Sequence, residues 1–249
     1  RHDPYSDIGI VSAQGGTITN LTNSGYISGS PRWVLDGNAI LFQTERYGMR
    51  AHASWGSLND VMLVFMNQDA YDKFRLSKED YELQKELEKE QKDTTETKKN
   101  DKKKGDNKEK SEEKKEEKVK DIVVELNNIE DRIVRLTPNS SDLGSAIITK
   151  DGETLYYLSA FEGGYDLWKM NLRKKDTKLL HKMDAGWANM EMDKDGKNLF
   201  LLGSNTMQKM GTDSESLKPI SYQAHVKMDL AAERDYMFNH VYKQEQKRF

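Results

Sequence analysis

Residues 52–57 place His52 close to Ser54 and Ser57, the residue types of a base and a nucleophile. Neighbours in sequence rarely form such a pair, and no G-x-S-x-G elbow accompanies them, so the stretch reads as a loop. The remaining histidines, His2, His181, His225 and His240, give no H-x-x-x-H spacing that would set two imidazoles on one helix face. Glu191, Asp193, Asp195 and Gly196 imitate the first half of a calcium loop. The twelfth position, which needs a bidentate Glu, is Leu202, and strand-like segments flank it, so this stretch reads as strand, turn, strand. Gly15-Gly16 and Gly163-Gly164 lack the lysine of a phosphate loop. Arg46 and Arg50 would suit a peptide carboxylate if they faced a lumen, although their turn-rich surroundings read first as a solvated loop. Trp33, Trp55, Trp168 and Trp187 could stack a ligand, but their recurring places favour packing between repeats. No catalytic, cofactor-binding or metal-binding residue is assigned, and no cofactor is expected.

The bulk composition narrows the classes further. The chain has 249 residues, no cysteine and a net charge of −3. The absence of cysteine excludes disulfides and thiolate chemistry. The net charge gives no electrostatic case for nucleic acid or an anionic membrane as partner. No run approaches the roughly 18 apolar residues of a membrane span. Residues 77–120 hold 15 Lys and 15 Asp or Glu, and positions 93–118 carry no aliphatic or aromatic side chain. Such a segment cannot bury enough apolar area to offset the entropy of ordering, so 77–120 is expected to be a charged, disordered insertion. Its first part has helical signals: Ser77 with Asp80 imitates a capping box, and Leu83 and Leu87 share a face.

Outside the insertion the chain repeats itself. Asp36-Gly37, Asp151-Gly152 and Asp195-Gly196 can be laid in register. Fourteen residues before each Asp, an apolar run ends at Thr22, Thr137 or His181. Alternating positions follow at Pro31 and Trp33, Ala146 and Ile148, Met190 and Met192. After each turn comes a continuous apolar run, "ILF", "LYYL" or "LFLL", suited to a strand buried on both faces. A third strand opens on Asp7, Asp60 or Asp166. Asp-Gly supplies the positive φ of a tight hairpin. Four antiparallel strands recurring at the 44-residue interval from Asp151 to Asp195 are the pattern of a β-propeller blade. The expected class is all-β: a partial propeller in blades over 1–76 and 121–228, then a helix over 229–249 leading towards a following domain. Ile220, Tyr222, Ala224 and Val226 read as a closing strand, and Asp229 as the N-cap of that helix. About three units are present where a ring needs four to eight, and the first begins at its third strand, so the expectation is a piece of a longer protein.

With the repeat in place, "SPRWVLDGNAILFQTERYG" resembles the S-P-x-W-x-x-D-G signature of PD-type propeller repeats. "GMRAHASWGSLNDVMLVFMNQDAYDKFRLSKED", "NNIEDRIVRLT" and "AHVKMDLAAERDYMFNHVYKQEQKRF" are similar to the second propeller of tricorn-type serine peptidases and their bacterial homologues. That resemblance implies a large peptidase whose propellers admit peptide substrates to a catalytic Ser, His and Glu housed after the helix. No position here matches those catalytic motifs, and none is carried over. It also implies other domains of the same chain as partners, with homo-oligomerisation left open. The archetype is cytoplasmic; export to the periplasm is the alternative that bacterial homologues imply. The competing function is a propeller scaffold for protein–protein interaction with no peptidase attached. A propeller enzyme with its own lumenal metal or acid residues is a third class.

Overall fold

Three Asp-Gly pairs close hairpins in the computed structural model, which describes residues 5–50, 56–87, 90, 121–204 and 206–248. The flanking pairs are Val34 with Ala39, Ile148 with Leu155 and Met192 with Leu199, the register expected from the sequence. In the second turn the Thr149 N–H donates to Thr154 O and the Gly152 N–H to Thr149 O, both at 2.9 Å. The third turn repeats this 44 residues on: Asp193 N–H to Asn198 O at 2.9 Å and Gly196 N–H to Asp193 O at 3.0 Å. Gly152 and Gly196 take φ of 71° and 73°, a left-handed conformation that favours glycine. The first turn departs from the pattern, with Leu35 and Asp36 both at φ 53° before Gly37. The corners follow one another. Lys150 Nζ donates to Lys194 O at 2.5 Å, and the Leu35 side chain lies 3.3 Å from where a Cβ on Gly152 would sit.

Each hairpin belongs to a four-stranded antiparallel sheet in sequential order. The first holds β3 (Ser28–Val34), β4 (Ala39–Thr44), β5 (Asp60–Phe65) and β6 (Ile133–Arg135). The second holds β7 (Asp142–Ile148), β8 (Thr154–Ala160), β9 (Tyr165–Asn171) and β10 (Asp176–Ala185). The third holds β11 (Ala188–Met192), β12 (Asn198–Gly203), β13 (Thr206–Gly211) and β14 (Leu217–Pro219). Ahead of them β1 (Gly9–Ile10) pairs with β2 (Thr19–Asn20), the third and fourth strands of a unit.

One device confirms that assignment of β1 and β2. Thr22 Oγ1 donates to Asp7 Oδ1 at 2.9 Å and accepts the Ile8 N–H. Thr137 Oγ1 donates to Asp60 Oδ1 at 2.7 Å and accepts the Val61 N–H. The Asp that opens a third strand is thus latched to the Thr that closes the fourth. In the second sheet Asp166 keeps the role with other partners, accepting the N–H groups of Met183 and Asp184.

The core lies between sheets. Ile40, Phe42, Met62 and Val64 face Ile8 and Leu21 of the first pair of strands. Leu41, Val61, Leu63 and Phe65 face the second sheet's Ala146, Ile148, Leu155 and Tyr157. Tyr156, Leu158 and Leu167 on that sheet's other side meet Met190, Leu199, Leu201 and Met210. Every large apolar side chain so enclosed contributes about 1.5–3 kcal/mol, and neither face of a sheet could gain this alone. The "LFLL" run corrects the expectation of burial on both faces. Leu199 and Leu201 are buried, but Phe200 and Leu202 are exposed, because the third sheet meets a neighbour on one side.

Two other expectations are corrected. Trp33 and Trp187 are half-exposed rather than packed between blades. Trp168 does pack, stacked on Tyr157 at 6.5 Å and edge-on to Phe161 at 5.0 Å; Trp55 lies outside the described residues. The closing strand is three residues long. The Ile220 N–H still bonds Met207 O, but Tyr222, Ala224 and Val226 form no strand and are exposed. The physical reason is the length of β13, which begins at Thr206 and leaves later residues nothing to pair with.

Helix α1 (Gln68–Arg75) starts on Asn67, whose side chain accepts the Ala70 N–H, and sets Tyr71 and Phe74 against Phe65. Helix α2 (78–87) has the cap expected of Ser77, whose hydroxyl accepts the Asp80 N–H. Arg173 joins both: its guanidinium donates to the carbonyls of Lys73, Phe74 and Leu76 and lies 4.0 Å from the Tyr81 ring centroid. Positions 91–120 of the insertion lie outside the described residues. Helix α3 (Leu230–Arg248) is capped by Asp229, which accepts from Ala231 and Ala232 at 3.1 Å each, and is exposed along its length.

Candidate functional site

The first strands β3, β7 and β11 run side by side along the inner edges of their sheets and enclose a cleft of about 240 Å³. The repeat explains which residues reach it. Ser30, Ser145 and Asn189 occupy one register position, six residues before the Asp of the turn, and all three line the cleft. The pairing of β3 with β4 shifts register between Gly29 and Arg32, and that of β7 with β8 between Leu143 and Ala146. Such bulges re-aim side chains at a sheet edge. Ser30 adopts φ 55° within the first of them. Gln43 reaches in from β4 and donates to Gly144 O at 2.9 Å.

Arg32 and Glu191 share the next outward-facing register position on β3 and β11, and they meet. Nη2 donates to Oε1 at 2.7 Å and Nη1 to Oε2 at 3.1 Å, a bidentate pair joining the first sheet to the third. Both side chains are substantially exposed, so the pair is worth at most about 1 kcal/mol and can open. The cleft therefore offers hydroxyls, carboxamides and the Arg32 guanidinium, which Glu191 pairs from outside the lining. Sequence reasoning missed this pair. The signal was available in the register, since position 32 maps onto position 191.

The residues considered for chemistry are dispersed. His2, His52 and Ser54 lie outside the described residues. The Ser57 hydroxyl donates to Glu45 Oε2. His181 Nε2 contacts Glu215 O at 2.8 Å, His225 is exposed, and His240 stacks on Tyr236 of α3. The calcium-like stretch is a strand turn: Glu191 is paired with Arg32, and Asp193 accepts from Lys197 N–H, Asn198 N–H and Asn198 Nδ2. The last of these bonds holds the Asp193 carboxyl below the usual carboxylate range. Arg46 and Arg50 sit on the β4–β5 loop and do not line the cleft. Between the second and third sheets, Glu215 bonds Lys169 Nζ at 2.6 Å and Lys178 Nζ at 2.8 Å, and Lys169 above all keeps its carboxyl low.

Sequential four-stranded sheets, stacked face to face with inner strands around a shared cleft, decide the architecture. The fold is a β-propeller. Among the described residues its sheets do not close into a ring. No family model matches the chain, and no curated protein matches it. Among solved structures the propeller is similar to TolB from Acinetobacter baumannii, with TM-score 0.52 and 10% identity over 88% of this chain and 38% of that one. It is also similar to the tricorn protease, with TM-score 0.54 and 8% identity over 88% of this chain and 20% of that one. A puromycin-hydrolyzing peptidase from Mycobacterium tuberculosis matches at TM-score 0.48 and 10% identity, over 90% of this chain and 28% of that one. The chain spans well under half the length of these neighbours. At such identities the likeness to the first two establishes the β-propeller fold and nothing finer.

Proposed function

We propose that this chain is the non-catalytic propeller segment of a tricorn-like serine peptidase, shaping peptide access to a catalytic domain elsewhere in the parent protein. The observation that carries the reading is the contrast between sealed blade interfaces and a polar axial cleft crossed by the Arg32–Glu191 pair. A peptide threading between the first strands would find hydrogen-bond partners in Ser30, Gln43, Ser145 and Asn189. The resemblance of the blade and helix sequences to tricorn-type enzymes, and the presence of the tricorn protease among the structural neighbours, support the same reading.

The test compares the chain with its parent protein on fluorogenic peptides of increasing length. The isolated chain should hydrolyse none of them. In the parent, Arg32→Ala should alter turnover of peptides of about ten residues several-fold while leaving dipeptide substrates unchanged, because only a long chain must pass the cleft. Hydrolysis by the isolated chain, or an equal effect on short and long peptides, refutes the proposal. A parent without any peptidase domain would favour the interaction scaffold instead.

A further inference from the structure

Away from the cleft, the β4–β5 loop gathers arginines and tyrosines. The Arg46 and Arg135 guanidiniums lie 5.5 and 5.0 Å from the centroid of the Tyr47 ring. Arg50 lies 5.3 Å from Tyr26 and 5.8 Å from Tyr5. All three rings are between about a third and a half exposed. The acids that answer these cations are recessed. Glu45, with its side chain 7% exposed, holds Arg50, and Asp60, fully buried, holds Arg135. Solvent therefore meets three guanidiniums and three phenol rings, with the balancing carboxylates beneath them. Arg135 gives Nε and Nη2 to Asp60 and Arg50 gives Nη2 to Glu45, so a carboxylate from solvent would meet the remaining N–H donors of these two and the whole fork of Arg46.

The described part of the loop, 45–50 and 56–59, is also held in place. Glu45 accepts from Arg50, from the Ser57 hydroxyl and from the Ile27 N–H, and its carbonyl accepts the Gly48 N–H. The arginines and tyrosines thus forfeit little freedom on binding, and these residue types dominate the energetic centres of interfaces. We propose that this patch docks an acidic, extended polypeptide segment, its carboxylates on the outer edges of Arg46, Arg50 and Arg135 and its intervening side chains on the tyrosine rings. Charge complementarity selects that occupant. Three cations on a chain of net charge −3 suffice for a short acidic peptide, whereas a nucleic-acid backbone calls for a longer basic stripe. The proposal stands apart from the peptidase reading.

Fluorescence anisotropy tests it on the full chain, with a fluorescein-labelled decapeptide of alternating Glu and Ala, its Lys and Ala counterpart, and a decathymidine oligonucleotide. The glutamate peptide should bind and the lysine peptide should not. Binding should weaken about tenfold in Arg46→Glu and several-fold in Tyr47→Ser, and should fall between about 50 and about 200 mM salt. Both substitutions fall on exposed side chains, and melting curves matching the parent chain verify that the loop is intact. Absence of binding by the glutamate peptide, full binding by a folded Arg46→Glu variant, or equal or tighter binding of the oligonucleotide overturns the proposal.

Discussion

Asp60→Ala should be among the most damaging single substitutions in the molecule. The Asp60 side chain is fully buried and accepts three bonds: Thr137 Oγ1 at 2.7 Å, Ser140 Oγ at 2.7 Å and Arg135 Nε at 3.0 Å. Hydrogen bonds to a charged acceptor contribute about 1.5–3 kcal/mol each, but the three do not simply add. Arg135 is about one-third exposed and Ser140 is half-buried, so both regain water when the carboxylate is removed. Thr137 is buried and does not, and the vacated side-chain volume adds a cavity. The loss should be about 3–5 kcal/mol, the range for breaking a buried charged contact. Asp7→Ala is the internal control, because Asp7 makes the equivalent bond to Thr22 from a partly exposed position and should lose only about 1–2 kcal/mol. Urea unfolding followed by circular dichroism measures both. A loss below about 1 kcal/mol for Asp60→Ala, or one no larger than that of Asp7→Ala, would refute the view that the latch is an energetic centre of the blade.

Glu215→Gln should lower stability at neutral pH by about 0.5–1 kcal/mol, a small figure because the Lys178 end of the cluster is exposed. Since Lys169 and Lys178 hold the native carboxyl below its unfolded value, the wild-type advantage is complete above the ordinary carboxylate range and disappears as pH falls through the lowered one; thermal melts at neutral and strongly acidic pH check this. Gly152→Ala should cost about 1 kcal/mol or more, because φ is 71° and the new Cβ would stand 3.3 Å from Leu35; Gly196→Ala shares the φ with an open surround and should cost less in the same melts.

The repeat was readable because every unit must satisfy the same two faces. Positions fixed by that demand, such as Leu155 and Leu199 after their turns, announce themselves by recurrence. The latch was half readable: the sequence shows an Asp opening third strands and a Thr ending the preceding apolar runs, yet only adjacency of third and fourth strands reveals that Thr137 answers Asp60. The segment from Ile220 to Val226 misled because alternation records a side-chain period and says nothing about a partner strand. Trp33 and Trp187 misled differently. They share no register position, Trp33 lying near the end of β3 and Trp187 just ahead of β11, and packing depends on whether a neighbouring face reaches them. The Asn67 cap and the Arg173 anchor of α1 and α2 left no periodic trace, being single contacts outside the repeating register.

The cleft follows from the same logic. Along an inner strand, alternate positions are claimed by the sheet interfaces, as Ala146, Ile148 and Met190 are, and must stay apolar in every unit. The positions between them carry no such demand. Ser30, Ser145 and Asn189 are polar at one of these, while the next holds Arg32, Ile147 and Glu191, three different chemistries at one address. A propeller of this sort can therefore change the chemistry of its inner strands without disturbing what holds it together. The substitutions most informative about function are those at positions where the units disagree, and Arg32 and Glu191, which meet across two sheets, come first among them.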